Sequence, residues 1–181
     1  MEPYSDFCPI PEDFKSCETG ESFKACSLCG ADLMQAGTNY LIEKAFKAEE
    51  TIFEYAMCFE CYEKTQKTLS ENSKKLIQNY FEEHVDINNW RNRMLNEHGH
   101  ETGSWLNNCL IKNTTREDSK EHQIYGWFVG SHLVFNGMPY MLSSEVIDDL
   151  LELLSTETLG ILDNLNDQLF GIDLPKGYLL V

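Results

Sequence analysis

Basic residues are scarce in this 181-residue chain: 14 Lys and Arg stand against 30 Asp and Glu, a formal net charge of -16. From Glu121 to Pro175 there is no Lys or Arg at all. Such a balance repels phosphate backbones and anionic membrane surfaces, so nucleic acid is not the expected partner. Long apolar runs are missing too, and none approaches the roughly 20 residues that cross a bilayer. The opening stretch MEPYSDFCPIPEDF has neither the basic region nor the apolar core of a secretory signal. The expectation is therefore a cytoplasmic protein with reduced thiols and no membrane partner. No glycine loop for phosphate, no Cys-His or Ser-His-Asp set, no internal repeat and no low-complexity segment is legible. Hydrophobic residues make up 42% of the chain, enough for one domain with a core or two small ones.

What the sequence does have is seven cysteines, four of them in two matched pairs. ACSLCG places Cys26 and Cys29 two residues apart, and CFECYEK does the same with Cys58 and Cys61. In a reduced compartment, two such motifs point to a metal rather than to disulfides. Zinc takes four soft ligands in a tetrahedron, and two CxxC turns supply four thiolates. Iron accepts the same donor set and is the chemical alternative. A redox-active pair needs only one CxxC, usually after a strand of a βαβ unit. Cys58 and Cys61 stand where a helical pattern begins. A helix N-terminus carries partial positive charge and free amides, which favour thiolates. Gly30, just after the second cysteine, suits a tight turn. Lys24 and Lys64 lie close enough in sequence to offset negative charge. Because all four positions are cysteine, the expected ion is structural; a catalytic zinc keeps one position open for water.

YLIEKAF and TIFEYAM, joined by KAEE, read as a hairpin between the two pairs. The order knuckle, hairpin, CxxC at a helix start resembles the treble-clef class of zinc fingers. The resemblance covers residues 24–75 and rests on Cys26, Cys29, Gly30, Cys58 and Cys61. It implies a zinc ion and a local fold, not an activity.

Beyond Cys58 the spacing of Leu69, Ser73, Leu76, Ile77, Tyr80 and Phe81 predicts a helix, with Ser70 a cap for a second helical piece. Residues 1–25 read as loop, with a short strand near Phe23. Residues 86–104 read as irregular, and SWLNNCLIK as a strand. IYGWFV, HLVF and MPYML form an antiparallel meander with turns at Gly130-Ser131 and Asn136-Gly137. Two acidic amphipathic helices close the chain, the first capped by Ser143 and the second running from about Thr156 to Phe170 before Gly171. The fold class is therefore α+β. Residues 1–88 hold a four-cysteine zinc domain with an N-terminal extension, and residues 89–181 hold the meander with its helices, with packing of the two as one unit left open.

Other candidates are weaker. His98, His100 and Glu101, with Cys109, sketch a catalytic metal site, which would make the chain a metal-dependent hydrolase or nuclease. Against this, residues 40–57 contain no histidine, and Cys109 between Asn and Leu reads as a small buried hydrophobe. Lysines at 44, 47, 64, 67, 74 and 75 suggest a local basic face, but glutamates interleave with them. The favoured reading is a zinc-binding, non-enzymatic module whose partner is another protein.

Overall fold

The computed structural model describes residues 6–171. The class is α+β, with one antiparallel sheet and six helices among those residues. The strands are β1 (Phe7–Pro9), β2 (Asn39–Lys47), β3 (Glu50–Cys58), β4 (Glu121–Val129), β5 (His132–Val134) and β6 (Tyr140–Ser143). The helices are α1 (Phe59–Thr68), α2 (Glu71–His84), α3 (Ile87–His98), α4 (Thr102–Leu106), α5 (Ser144–Glu152) and α6 (Thr156–Phe170).

The expected hairpin is β2–β3, and α1 begins at the residue after β3 ends. The meander is not a separate sheet. β4 lies antiparallel to β2 over nine residues, from Asn39 against Val129 to Lys47 against Glu121. On its other edge β4 holds β5 at one end and β6 at the other. The sheet therefore runs β1-β5-β4-β2-β3, with strands drawn from both sides of residue 88.

Three segments differ from expectation. Residues 86–104 are helical rather than irregular: Asp86 caps α3 by accepting from the Asn89 amide, and Glu101 caps α4 by accepting from that of Ser104. The asparagine-rich sequence has low helix propensity, but burial of Met94 and Leu95 and the two caps override it. SWLNNCLIK is not a strand. Its first three residues complete α4, and the rest makes a tight turn in which Asn108 bridges Thr115 and Cys109 bridges Met141. The strand expected near Phe23 is replaced by β1, which pairs with β5.

One face of the sheet, carrying Tyr40, Ile42 and Phe128, is covered by Phe14. Lys44 on this face is 2% exposed; its Nζ lies 3.2 Å from Glu54 and donates to the Lys15 carbonyl. Glu54 also accepts from the Cys17 amide and the Ser16 hydroxyl. A buried charge needs such partners, and these fasten the N-terminal segment to the hairpin. The opposite face carries Glu43, Tyr55, Tyr125 and Tyr140 and meets the helices, with Phe170 of α6 against Phe53 and Tyr55.

Helices α2 and α6 meet at their N-termini through four hydroxyls. Ser70 accepts from the Ser73 amide, and Ser155 accepts from that of Thr158. Each cap residue then donates its own amide across to the other helix: Ser70 to Thr158 Oγ1 at 3.2 Å, Ser155 to Ser73 Oγ at 3.0 Å. This is a capping box divided between two helices. Ser73 and Thr158 are both 0% exposed, so no water replaces a lost hydroxyl. In urea unfolding, Ser73→Ala and Thr158→Val should each cost about 1–3 kcal/mol. The double variant should depart from additivity by at least about 0.5 kcal/mol, because both bonds belong to one network.

Candidate metal centre

The sequence ACSLCG folds as a turn whose backbone bonds close on themselves. The Gly30 amide donates to the Cys26 carbonyl at 2.9 Å, and the Cys26 amide donates to the Ala31 carbonyl at 2.8 Å. Gly30 sits at φ 75°, a conformation that glycine adopts without strain. The Ser27 amide donates to the Ala56 carbonyl at 2.8 Å, which docks the turn against the outer edge of β3. β3 ends at Cys58, which caps α1, and Cys61 lies in the first turn of that helix. Local hydrogen bonds thus bring two distant CxxC pairs face to face.

The four sulfurs all lie within 4.8 Å of one another. Cys29 Sγ and Cys58 Sγ are 3.7 Å apart, and every cysteine is a free thiol. A disulfide would need about 2.05 Å. A tetrahedron with metal–sulfur bonds of about 2.3 Å places its sulfurs about 3.8 Å apart, so this spacing fits a tetrathiolate ion. Cys26, Cys58 and Cys61 are buried, and Cys29 is exposed. Among the described residues this is the only group of three or more His, Cys, Asp or Glu side chains close enough to share an ion.

Burial pushes the Cys26 thiol up, but the amides of Cys29, Cys58 and Leu28 outweigh it and bring its pKa down to about 7. Burial raises Cys58. Burial and the neighbouring Cys29 and Cys58 thiols raise Cys61. Cys26 is thus prepared as a thiolate, while Cys58 and Cys61 hold their protons more tightly than a free thiol does. Lys24 and Lys64 add little: each is exposed and pairs with its own glutamate, Glu21 at 2.5 Å and Glu60 at 2.7 Å. Beside Cys29 and Cys61 a groove of about 450 Å³ runs between α1 and α6, bordered by Leu28, Ile161 and Leu165.

No family model, curated protein or solved structure matches the chain. The centre is read from its own chemistry.

The second sequence-predicted site does not assemble. Glu101 is spent as the cap of α4, where the Ser104 hydroxyl and amide hold its carboxyl below the usual range. His100 stacks on Phe135 at 4.6 Å, and His98 sits at the end of α3 near Glu97. Cys109 is 2% exposed and accepts from the Ser143 amide. The basic face also dissolves: Lys44 is buried, Lys47 reaches Glu121, and Lys74 pairs with Glu71.

His122, isolated in the sequence and readable there only as a surface or core residue, lies in the core. It is 2% exposed, stacks on Phe46 at 5.1 Å, and its Nε2 accepts from Arg116 Nε at 3.1 Å. Burial, helped by the Arg116 charge, lowers its pKa to about 4. The unfolded chain takes up this proton near pH 6.5, whereas the folded protein resists until about 4. His122 therefore removes stability as pH falls from about 6.5 to about 4, by about 2 kcal/mol. His122→Gln, which keeps an acceptor for Arg116, should flatten that part of the stability–pH curve relative to the parent protein.

Proposed function

We propose that Cys26, Cys29, Cys58 and Cys61 hold one zinc ion in a structural, treble-clef-like centre, and that the protein is a non-enzymatic interaction module. The observation that carries this reading is the donor set: four sulfurs within 4.8 Å of one another can fill a tetrahedral shell and leave no position for water or substrate. The turn at Cys26, the β2–β3 hairpin and helix α1 follow one another along the chain, and the treble-clef reading rests on that order. When bound, the ion supplies positive charge that lets all four thiols ionise together. The chain supplies the rest. The Cys58 amide, 3.4 Å from Cys26 Sγ, and the start of α1 stabilise the thiolates, while β3 and the Ser27 bond hold the two CxxC turns in place.

Such a centre braces residues 24–38, a stretch of turns and bends in which Leu33 and Cys26 are the buried apolar residues. An interaction role fits the groove between α1 and α6, whose Leu28, Ile161 and Leu165 offer apolar surface next to the brace. The acidic surface argues for a protein partner over nucleic acid.

Purified protein should carry one zinc per chain by elemental analysis. Cys58→Ser/Cys61→Ser should carry none. Stripping the ion should speed amide hydrogen exchange in residues 24–75 before it does so in α5. Unchanged exchange after complete metal removal contradicts a structural role. An ion other than zinc at the same stoichiometry corrects the metal and keeps the site.

A further inference from the structure

The chain contains its metal centre's fold twice. The turn at Cys26 has a counterpart at Cys109, bond for bond. The Cys26 amide donates to the Ala31 carbonyl at 2.8 Å, and the Cys109 amide donates to that of Thr114 at 2.8 Å. Gly30 donates to the Cys26 carbonyl and Asn113 to that of Cys109. Gly30 and Asn113 share the left-handed conformation, at φ 75° and 57°. Ala25 bridges Asp32, and Asn108 bridges Thr115. Leu33 donates to Lys24, and Arg116 donates to Asn107. Ser27 docks on Ala56 of β3, and Leu110 docks on Met141 of β6.

The rest of each unit follows in register. β2–β3 pairs Tyr40 with Cys58 and Glu43 with Tyr55; β4–β6 pairs His122 with Ser143 and Tyr125 with Tyr140. In each unit the second strand runs directly into a helix of nine or ten residues, α1 or α5. A buried leucine, Leu69 or Leu154, then precedes a serine cap and a longer helix, α2 or α6. The antiparallel β2–β4 seam and the divided capping box join the two units about one approximate two-fold axis. Residues 130–139, with β5, stand in the second unit where residues 48–54 stand in the first, and are three residues longer.

This correspondence matches the four ligands to four other residues. Cys26 maps to Cys109, Cys29 to Lys112, Cys58 to Ser143 and Cys61 to Val146. The first match is direct: the Cys58 amide lies 3.4 Å from Cys26 Sγ, and the Ser143 amide lies 3.3 Å from Cys109 Sγ. Lys112, in the place of Cys29, reaches Asp149 at 2.8 Å, and Asp149 stands in the place of Lys64. Val146 is 0% exposed and fills the place of Cys61. Ser143 Oγ is buried with no hydrogen-bond partner. A serine that caps a helix normally uses that oxygen, and here it keeps only the position of a ligand.

We propose that Cys109, Lys112, Ser143 and Val146 mark a second metal site in which three thiol ligands are replaced, and where an ion pair and a valine brace the same fold without an ion. The inference rests on the metal reading of the first centre only for its ligand pattern. It explains why one ion serves a molecule with two such units.

The variant Lys112→Cys/Ser143→Cys/Val146→Cys tests it. Reconstituted with cobalt(II), the variant should bind one ion more than the parent protein, with about twice the thiolate-to-metal absorption per chain. The increment decides the proposal: a folded variant with no added ion overturns it. A parent protein that binds no ion overturns the reading of the first centre instead, whatever the increment.

The reciprocal transplant decides the case if that variant does not fold. Cys29→Lys/Cys58→Ser/Cys61→Val/Lys64→Asp carries the second unit's solution into the first. It should keep its far-UV circular dichroism in the presence of chelator, where Cys29→Ser/Cys58→Ser/Cys61→Ser loses signal. A transplant as unfolded as the serine control overturns the equivalence.

Discussion

Four thiols packed within 4.8 Å of one another cannot all lose their protons unless a cation stands among them. The chain accepts this constraint in a region that has little else to hold it. The knuckle at Cys26 is tied to β3 by a pair of bonds between Ser27 and Ala56 and by the Cys58 amide on Cys26 Sγ. Ligation of the four sulfurs by the proposed ion would join that turn, the end of the hairpin and the start of α1 into one corner. The helix terminus and converging amides prepare Cys26 as the first thiolate.

The corner is placed on a sheet whose centre is the β2–β4 seam. Around it the buried polar groups fasten neighbouring elements together. The Lys44–Glu54 pair ties down the N-terminal segment, and the four hydroxyls at Ser70, Ser73, Ser155 and Thr158 lock two helix ends together. Arg116 spends its guanidinium on Asp13 and on a neutral histidine. The second unit reaches the same backbone geometry with an ammonium–carboxylate pair between Lys112 and Asp149. The Lys112–Asp149 pair and the proposed ion occupy equivalent places in two units of like backbone geometry.

The parts legible in the sequence were those governed by local pattern. Two CxxC spacings marked the cysteines that cluster, the runs YLIEKAF and TIFEYAM around the polar KAEE marked β2 and β3, and Thr156–Phe170 was readable from its leucine spacing and from Gly171. Helix α3 was not legible, because its asparagines lower its propensity while burial of Met94 and Leu95, invisible in sequence, restores it. The repeat was hidden for a related reason. Its shared content is backbone hydrogen bonding and register, which tolerate Gly30 against Asn113 or Glu43 against Tyr125. Only scattered identities survive, such as Tyr55 with Tyr140 and Leu69-Ser70 with Leu154-Ser155. His98, His100 and Glu101 misled because adjacency in sequence says nothing of where a cap or a ring stack directs each side chain.

The most direct measurement of the central claim is X-ray absorption at the metal edge of the purified protein. Four sulfur neighbours at about 2.3 Å, with no oxygen or nitrogen in the inner shell, is the predicted result. A shell containing oxygen or nitrogen, or protein that carries no metal while its four thiols remain reduced, contradicts it.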